Sequence, residues 1–239
     1  VLAYPIEATG YDLRGVSVPG IPLASTTLYG VVRHPRDLSA GPFPLVLMLH
    51  GNHGICRRTP TSDQDSCALS VDHECPQPGW VTTPNAEGLA YLAETIAAQG
   101  YVAVSISGNA VNCRNDWIDE RAALLRAHIE RWTQFAGGAA PFDDRFVGAL
   151  DLDRVALFGH SRGGEAVAAV PALLASSPVS GAQVVSVFSL APTDFVEAAP
   201  VDVAIDLPEP QMLVACMLAE QSAFQCGVIA EDHRKAVER

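Results

Sequence analysis

The order of apolar runs along the chain constrains its fold more than any single residue does. From about residue 27 onward, short apolar segments alternate with longer stretches of helical period, and that alternation specifies an α/β domain built on a mostly parallel sheet. Thr27–Arg33 is rich in β-branched and aromatic residues, Ala40–Pro44 turns the chain, and Leu45–Leu49 (LVLML) is continuously apolar, as a strand covered on both faces must be. Tyr101–Ser107, Arg154–Phe158, Val184–Leu190 and Met212–Met217 repeat the strand pattern. Between them, Glu87–Gln99 sets Leu89, Leu92, Ala93 and Ile96 on one helical face. Ile118–Phe135 does the same with Ile118, Ala122, Leu125, Ile129 and Trp132 and places its charges opposite; Arg162–Ala175 is a small-residue helix and Ile229–Glu238 a short charged one.

With 239 residues, 49% of them hydrophobic and 18% charged, the chain suits one globular domain spanning 1–239. A formal net charge of −12 leaves no basic stripe to neutralise phosphates, so nucleic acid and anionic membranes are excluded as partners. No segment reaches the roughly 18 consecutive apolar residues of a membrane span. No basic stretch followed by an apolar one precedes the first turn, so an export signal is expected to have been removed or never to have existed. From His53 to Pro84 the period is lost among Cys, Asp, Ser, Thr and Pro, which predicts a long loop. Six cysteines (Cys56, Cys67, Cys75, Cys113, Cys216 and Cys226) can pair completely, and with the acidic surface they predict a secreted or periplasmic protein.

The segment Arg154–Gly164, RVALFGHSRGG, runs a buried strand through Gly159-His160-Ser161-Arg162-Gly163 into a helix. A G-x-S-x-G in that context places the serine on a sharp turn, its hydroxyl projecting from the carboxyl edge of the sheet. Ser161 is therefore the candidate nucleophile. The strand Leu45–Leu49 ends in His50-Gly51-Asn52-His53-Gly54, a turn able to complete an oxyanion hole from the backbone N–H groups of Asn52 and Arg162. His53, His160 and Trp117 are candidate substrate contacts, and Trp80 lies in the same predicted set of loops. His50 and His53 lack a third metal ligand at a readable spacing, Cys56, Cys67 and Cys75 follow no metal-binding spacing, and Asp63, Asp65 and Asp72 lack the Gly and Glu of a calcium loop. No metal and no cofactor are expected, and a disulfide that pins the long loop is the simpler use of the cysteines.

LVLMLHGN, GYVAVSIS and VALFGHSRGG together resemble the α/β-hydrolase family, and within it esterases of the dienelactone hydrolase, bacterial cutinase and chlorophyllase type, over roughly residues 27–217. The resemblance implies an α/β-hydrolase fold and a serine esterase acting on a small-molecule or polymeric ester. It also implies the chain order nucleophile, acid, histidine. Glu220 follows the strand Met212–Met217 and is the first choice of acid, with Cys216 and Cys226 able to bridge its loop; Asp194, one strand earlier, is the competitor. His233 is the one histidine after Ser161. In the family a further strand precedes the catalytic histidine, so either His233 acts through an unusual local geometry, or the final strand and the base lie beyond this chain. Two rival functions stay open: a hydrolase-fold protein impaired by the lack of a base, and a peptidase or acyltransferase using the same serine turn. The oligomeric state is not legible.

Overall fold

The computed structural model describes residues 3–58, 65–66, 75, 77–114 and 117–193. The expected strand Met212–Met217, the expected helix Ile229–Glu238 and the question of a missing final strand all lie outside the described residues.

The chain opens with β1 (Ile6–Val16), β2 (Thr26–Pro35) and β3 (Phe43–Leu49). Three short strands follow, β4 (Cys56–Arg58), β5 (Asp65–Ser66) and β6 (Trp80–Thr82), then α1 (Ala90–Ala97) and β7 (Val102–Ile106). Next come α2 (Ile118–Ala136), β8 (Leu150–His160), α3 (Arg162–Ser176) and β9 (Val184–Leu190). The main sheet has the order β1-β2-β7-β3-β8-β9. β7, β3, β8 and β9 run parallel, while β1 and β2 are antiparallel additions at one edge.

The expected central strands and helices are present because their apolar patterns match the faces they bury. Successive side chains of a strand point to opposite faces. Leu45, Leu47 and Leu49 of β3, with Val102, Val104 and Ile106 of β7, face the cluster formed by α2 and α3. Val46, Met48 and Ala103 face the other way, onto Ala93, Leu89, Leu92 and Ile96 around α1. Both faces of the sheet are thereby covered, which is why these strands read as unbroken apolar runs rather than as alternating ones.

Three features differ from expectation. β1 precedes the first strand that the pattern reveals; as an edge strand it buries only Tyr11 fully, so neither a period of two nor an apolar run marks it. The stretch 53–84 is not wholly loop, since β4 pairs with both β5 and β6 in a small antiparallel sheet. Strands of two or three residues are too short to show a period, and a Cys56–Cys75 disulfide holds this region together. Finally, the buried stripe of α2 is not purely apolar. Arg121 and His128 sit on it among Ile118, Ala122, Leu125, Ile129 and Trp132, and both are 0% exposed.

Candidate active site

The topology decides where a site can form. From β3 the chain passes through α1, on one face of the sheet, to β7; from β8 it passes directly into α3, on the other face. The connections leaving the carboxyl ends of these adjacent parallel strands therefore diverge and open a crevice there, the usual place for a ligand in an open parallel sheet. The register sets Leu49 opposite Gly159, so the turn after β3 and the turn after β8 meet side by side.

Ser161 occupies the single residue between β8 and α3, with φ 55° and ψ −124°. A non-glycine residue in this region carries local strain of about 1–3 kcal/mol and persists only where its surroundings impose it. Here they do. The Ser161 N–H donates to the Leu190 carbonyl at 3.0 Å, and the Ser161 carbonyl accepts from the N–H groups of Glu165 at 3.1 Å and Thr193 at 3.3 Å. The flanking glycines clear this geometry by close backbone approach. A Cβ on Gly159 would overlap the Gly163 carbonyl, and one on Gly163 would overlap the carbonyls of Leu49 and His50. Gly51 faces the serine itself, since a Cβ there would stand 2.9 Å from Ser161 Cβ and 3.3 Å from His160 Nδ1.

The structure thus brings together Ser161, His160, Arg162 and the turn 50–54. Asn52 is half-buried and its Oδ1 accepts from the Cys113 N–H at 3.0 Å and from Arg121 Nη2 at 3.3 Å. His53 is exposed, its ring 5.9 Å from that of His50. Trp117, at the start of α2, is half-buried against the core with the Arg114 guanidinium 4.4 Å from its ring, so it serves at least as a packed anchor. Trp80 lies in β6. Asp194, Glu220 and His233 lie outside the described residues.

His50 is unsuited to metal ligation because both ring nitrogens are engaged: Nδ1–H donates to the Gly51 carbonyl at 2.7 Å and Nε2 accepts from the Gly108 N–H at 2.8 Å. Burial pushes its imidazole down to about 3, against the bond to Gly51. Burial alone does the same for His128, also to about 3, where the ring pairs with the Tyr11 hydroxyl at 2.6 Å. Both histidines are neutral in the folded protein at pH 7. Between about 3 and 6.5 the unfolded chain binds more protons than the folded one, so stability falls as the pH drops through this window. Each histidine contributes a slope of at most about 1.4 kcal/mol per pH unit. Urea unfolding from pH 7 to pH 4 is expected to show this loss, and His128→Asn, which keeps an acceptor for Tyr11, should flatten it; an unchanged slope would contradict the assignment.

Arg121 does not lie on the outer face of α2, where the sequence pattern sets the charges of this helix. Its spacing carried the signal, since it lies three residues after Ile118 and four before Leu125, on the buried stripe. Burial lowers its pKa to about 10, aided by Arg162 and opposed by Glu165, and it stays cationic at neutral pH. The Glu165 carboxylate accepts from Thr193 Oγ1 at 2.7 Å, which ties the segment after β9 to the first turn of α3.

Strand order, parallel core and a strained serine between the fifth strand of the main sheet and its helix define the α/β-hydrolase fold. Among solved structures the chain is similar to bacterial heroin esterase, at 17% sequence identity and a TM-score of 0.45, over 78% of this chain and 45% of that one. The chain therefore spans less than half the length of that structure. No protein family and no curated protein matches the chain in sequence.

Proposed function

We propose that the protein is a serine hydrolase that cleaves carboxylic esters through an acyl-enzyme on Ser161. The observation that carries this reading is the backbone of Ser161, held at φ 55° and ψ −124° at the carboxyl edge of the sheet and facing the Gly51–Asn52 turn. Its Oγ attacks the ester carbonyl carbon while a histidine, His233 or one beyond residue 239, takes the hydroxyl proton. The oxyanion accepts hydrogen bonds from the Arg162 and Asn52 N–H groups. The C–O bond to the alcohol then breaks, the alcohol leaves with that proton, and water releases the acid from the acyl-enzyme by the same steps. His53, His160 and Trp117 are the residues we assign to substrate contact, with a small or polymeric ester as the substrate. The Cys56–Cys75 disulfide supports a secreted or periplasmic location.

Glu220 is the acid implied by the family's chain order, and one observation favours Asp194 instead. Thr193, the residue before it, donates its N–H to the Ser161 carbonyl at 3.3 Å and its hydroxyl to Glu165. Hydrolysis of p-nitrophenyl butyrate tests both. The wild-type protein is expected to turn it over, and either Asp194→Asn or Glu220→Gln should lower kcat by about 10³- to 10⁴-fold, because an unoriented histidine rests in the wrong tautomer. The variant that retains activity removes its residue from the role; full activity in both would contradict a triad in this chain.

A further inference from the structure

The turn 50–54 has no regular secondary structure of its own, yet three of its five residues, Asn52, His53 and Gly54, are gripped by a side chain from elsewhere. Asn85 Nδ2 donates to the Gly54 carbonyl at 3.0 Å and to Asn109 Oδ1 at 2.7 Å, and His50 is bonded to Gly108. The centre of the arrangement is Arg121. Its Nη2 donates directly to Asn52 Oδ1 at 3.3 Å. Its Nη1 donates to Asn112 Oδ1 at 2.9 Å, and Asn112 Nδ2 in turn donates to the His53 carbonyl at 3.2 Å. Two arms of one guanidinium therefore end on two consecutive residues of the same turn.

Helix packing supplies no reason for an arginine at this position. Arg121 is 0% exposed on a stripe where an aliphatic side chain would pack, and its Nε finds no hydrogen-bond acceptor among the described residues. A buried guanidinium is unfavourable unless its donors are used, and the donors in use lead to the turn. Asn52 points its amide oxygen toward α2 and Cys113, so the side chain acts as an anchor for the turn whose neighbouring residue, Gly51, faces Ser161.

We infer that Arg121 is a positioning residue, which clamps Asn52 directly and His53 through Asn112 so that the Asn52 N–H is held toward the oxyanion formed at Ser161. The catalytic part of this inference rests on the serine-hydrolase reading; the clamp itself does not. A donor aimed in advance stabilises developing charge without reorganisation, and a misplacement of about 1 Å costs on the order of 100-fold.

Hydrogen exchange read by mass spectrometry, together with steady-state kinetics on p-nitrophenyl butyrate, tests both parts. Arg121→Met is expected to speed amide exchange in the peptide covering 50–54 by at least about 10-fold with α3 unchanged, and to lower kcat by about 10- to 100-fold with KM within about two-fold. Arg121→Lys, with one point donor in place of a fork, should fall between. If Arg121→Met does not fold, Asn52→Ala removes the acceptor from the loop side and is expected to give the same exchange pattern. Unchanged exchange at 50–54 in the folded variant overturns the clamp, and a change in KM with kcat intact overturns its catalytic use. A wild-type protein that turns over no ester, combined with faster exchange in the variants, removes the hydrolase reading alone and leaves the clamp established.

Discussion

Gly159→Ala is expected to yield little or no folded protein, the largest stability effect of any single methyl group in the described residues. The added Cβ would overlap the Gly163 carbonyl and come within 2.7 Å of the Gly164 nitrogen, all backbone atoms of the first turn of α3. That turn cannot retreat, because Gly163 itself rests on the carbonyls of Leu49 and His50 at the end of β3. The helix would have to lift off the sheet, taking Ala166, Val167 and Val170 out of the core they now fill. The loss should exceed about 4 kcal/mol, the range reached only by severe overpacking or a broken core. Gly88→Ala is the matched control: nothing lies within 4 Å of its Cβ position, so its unfolding midpoint should barely move. A Gly159→Ala protein with a wild-type melting temperature would show that Gly159 does not pack against the first turn of α3.

Ser161→Ala is expected to have the largest effect on activity and almost none on folding. The side chain is half-buried, and the hydrogen bonds that fix residue 161 are made by its backbone N–H and carbonyl, which alanine keeps. Ester turnover should fall by roughly 10⁴- to 10⁶-fold, leaving only what the oxyanion donors and binding supply. Alanine shares the strain of the positive φ, so the melting temperature should stay within a few degrees of wild type. A variant that loses activity together with its melting transition would indicate a structural role for the hydroxyl instead.

Much of the scaffold of this site is legible in the sequence because the constraints on it are local. A strand, a serine between glycines and a helix admit few arrangements, and RVALFGHSRGG states all three parts within eleven residues. The central strands are equally plain, since burial on both faces leaves an unbroken apolar run. What holds the turn 50–54 is not local at all. Asn85, Asn109, Asn112 and Arg121 come from three later segments, and none carries a local sign of the turn it holds. Spacing puts Arg121 on the buried stripe of α2, but only the packed fold shows that its donors end on the turn. β1 is obscured for the opposite reason: an edge strand satisfies its backbone on one side and leaves most of its side chains in solvent, so its composition follows water rather than the core. The strands of the small sheet are shorter than any period that could announce them.

Activation of the Ser161 hydroxyl is read most directly by covalent labelling. A fluorophosphonate forms a stable phosphonyl ester only with a serine whose hydroxyl is deprotonated as it attacks and whose oxyanion is stabilised. The expected result is one adduct per chain, located by peptide mass spectrometry on the segment containing Ser161 and absent from Ser161→Ala. Intact, folded protein that takes up no label, or that carries it on another residue, would show that Ser161 is not the nucleophile.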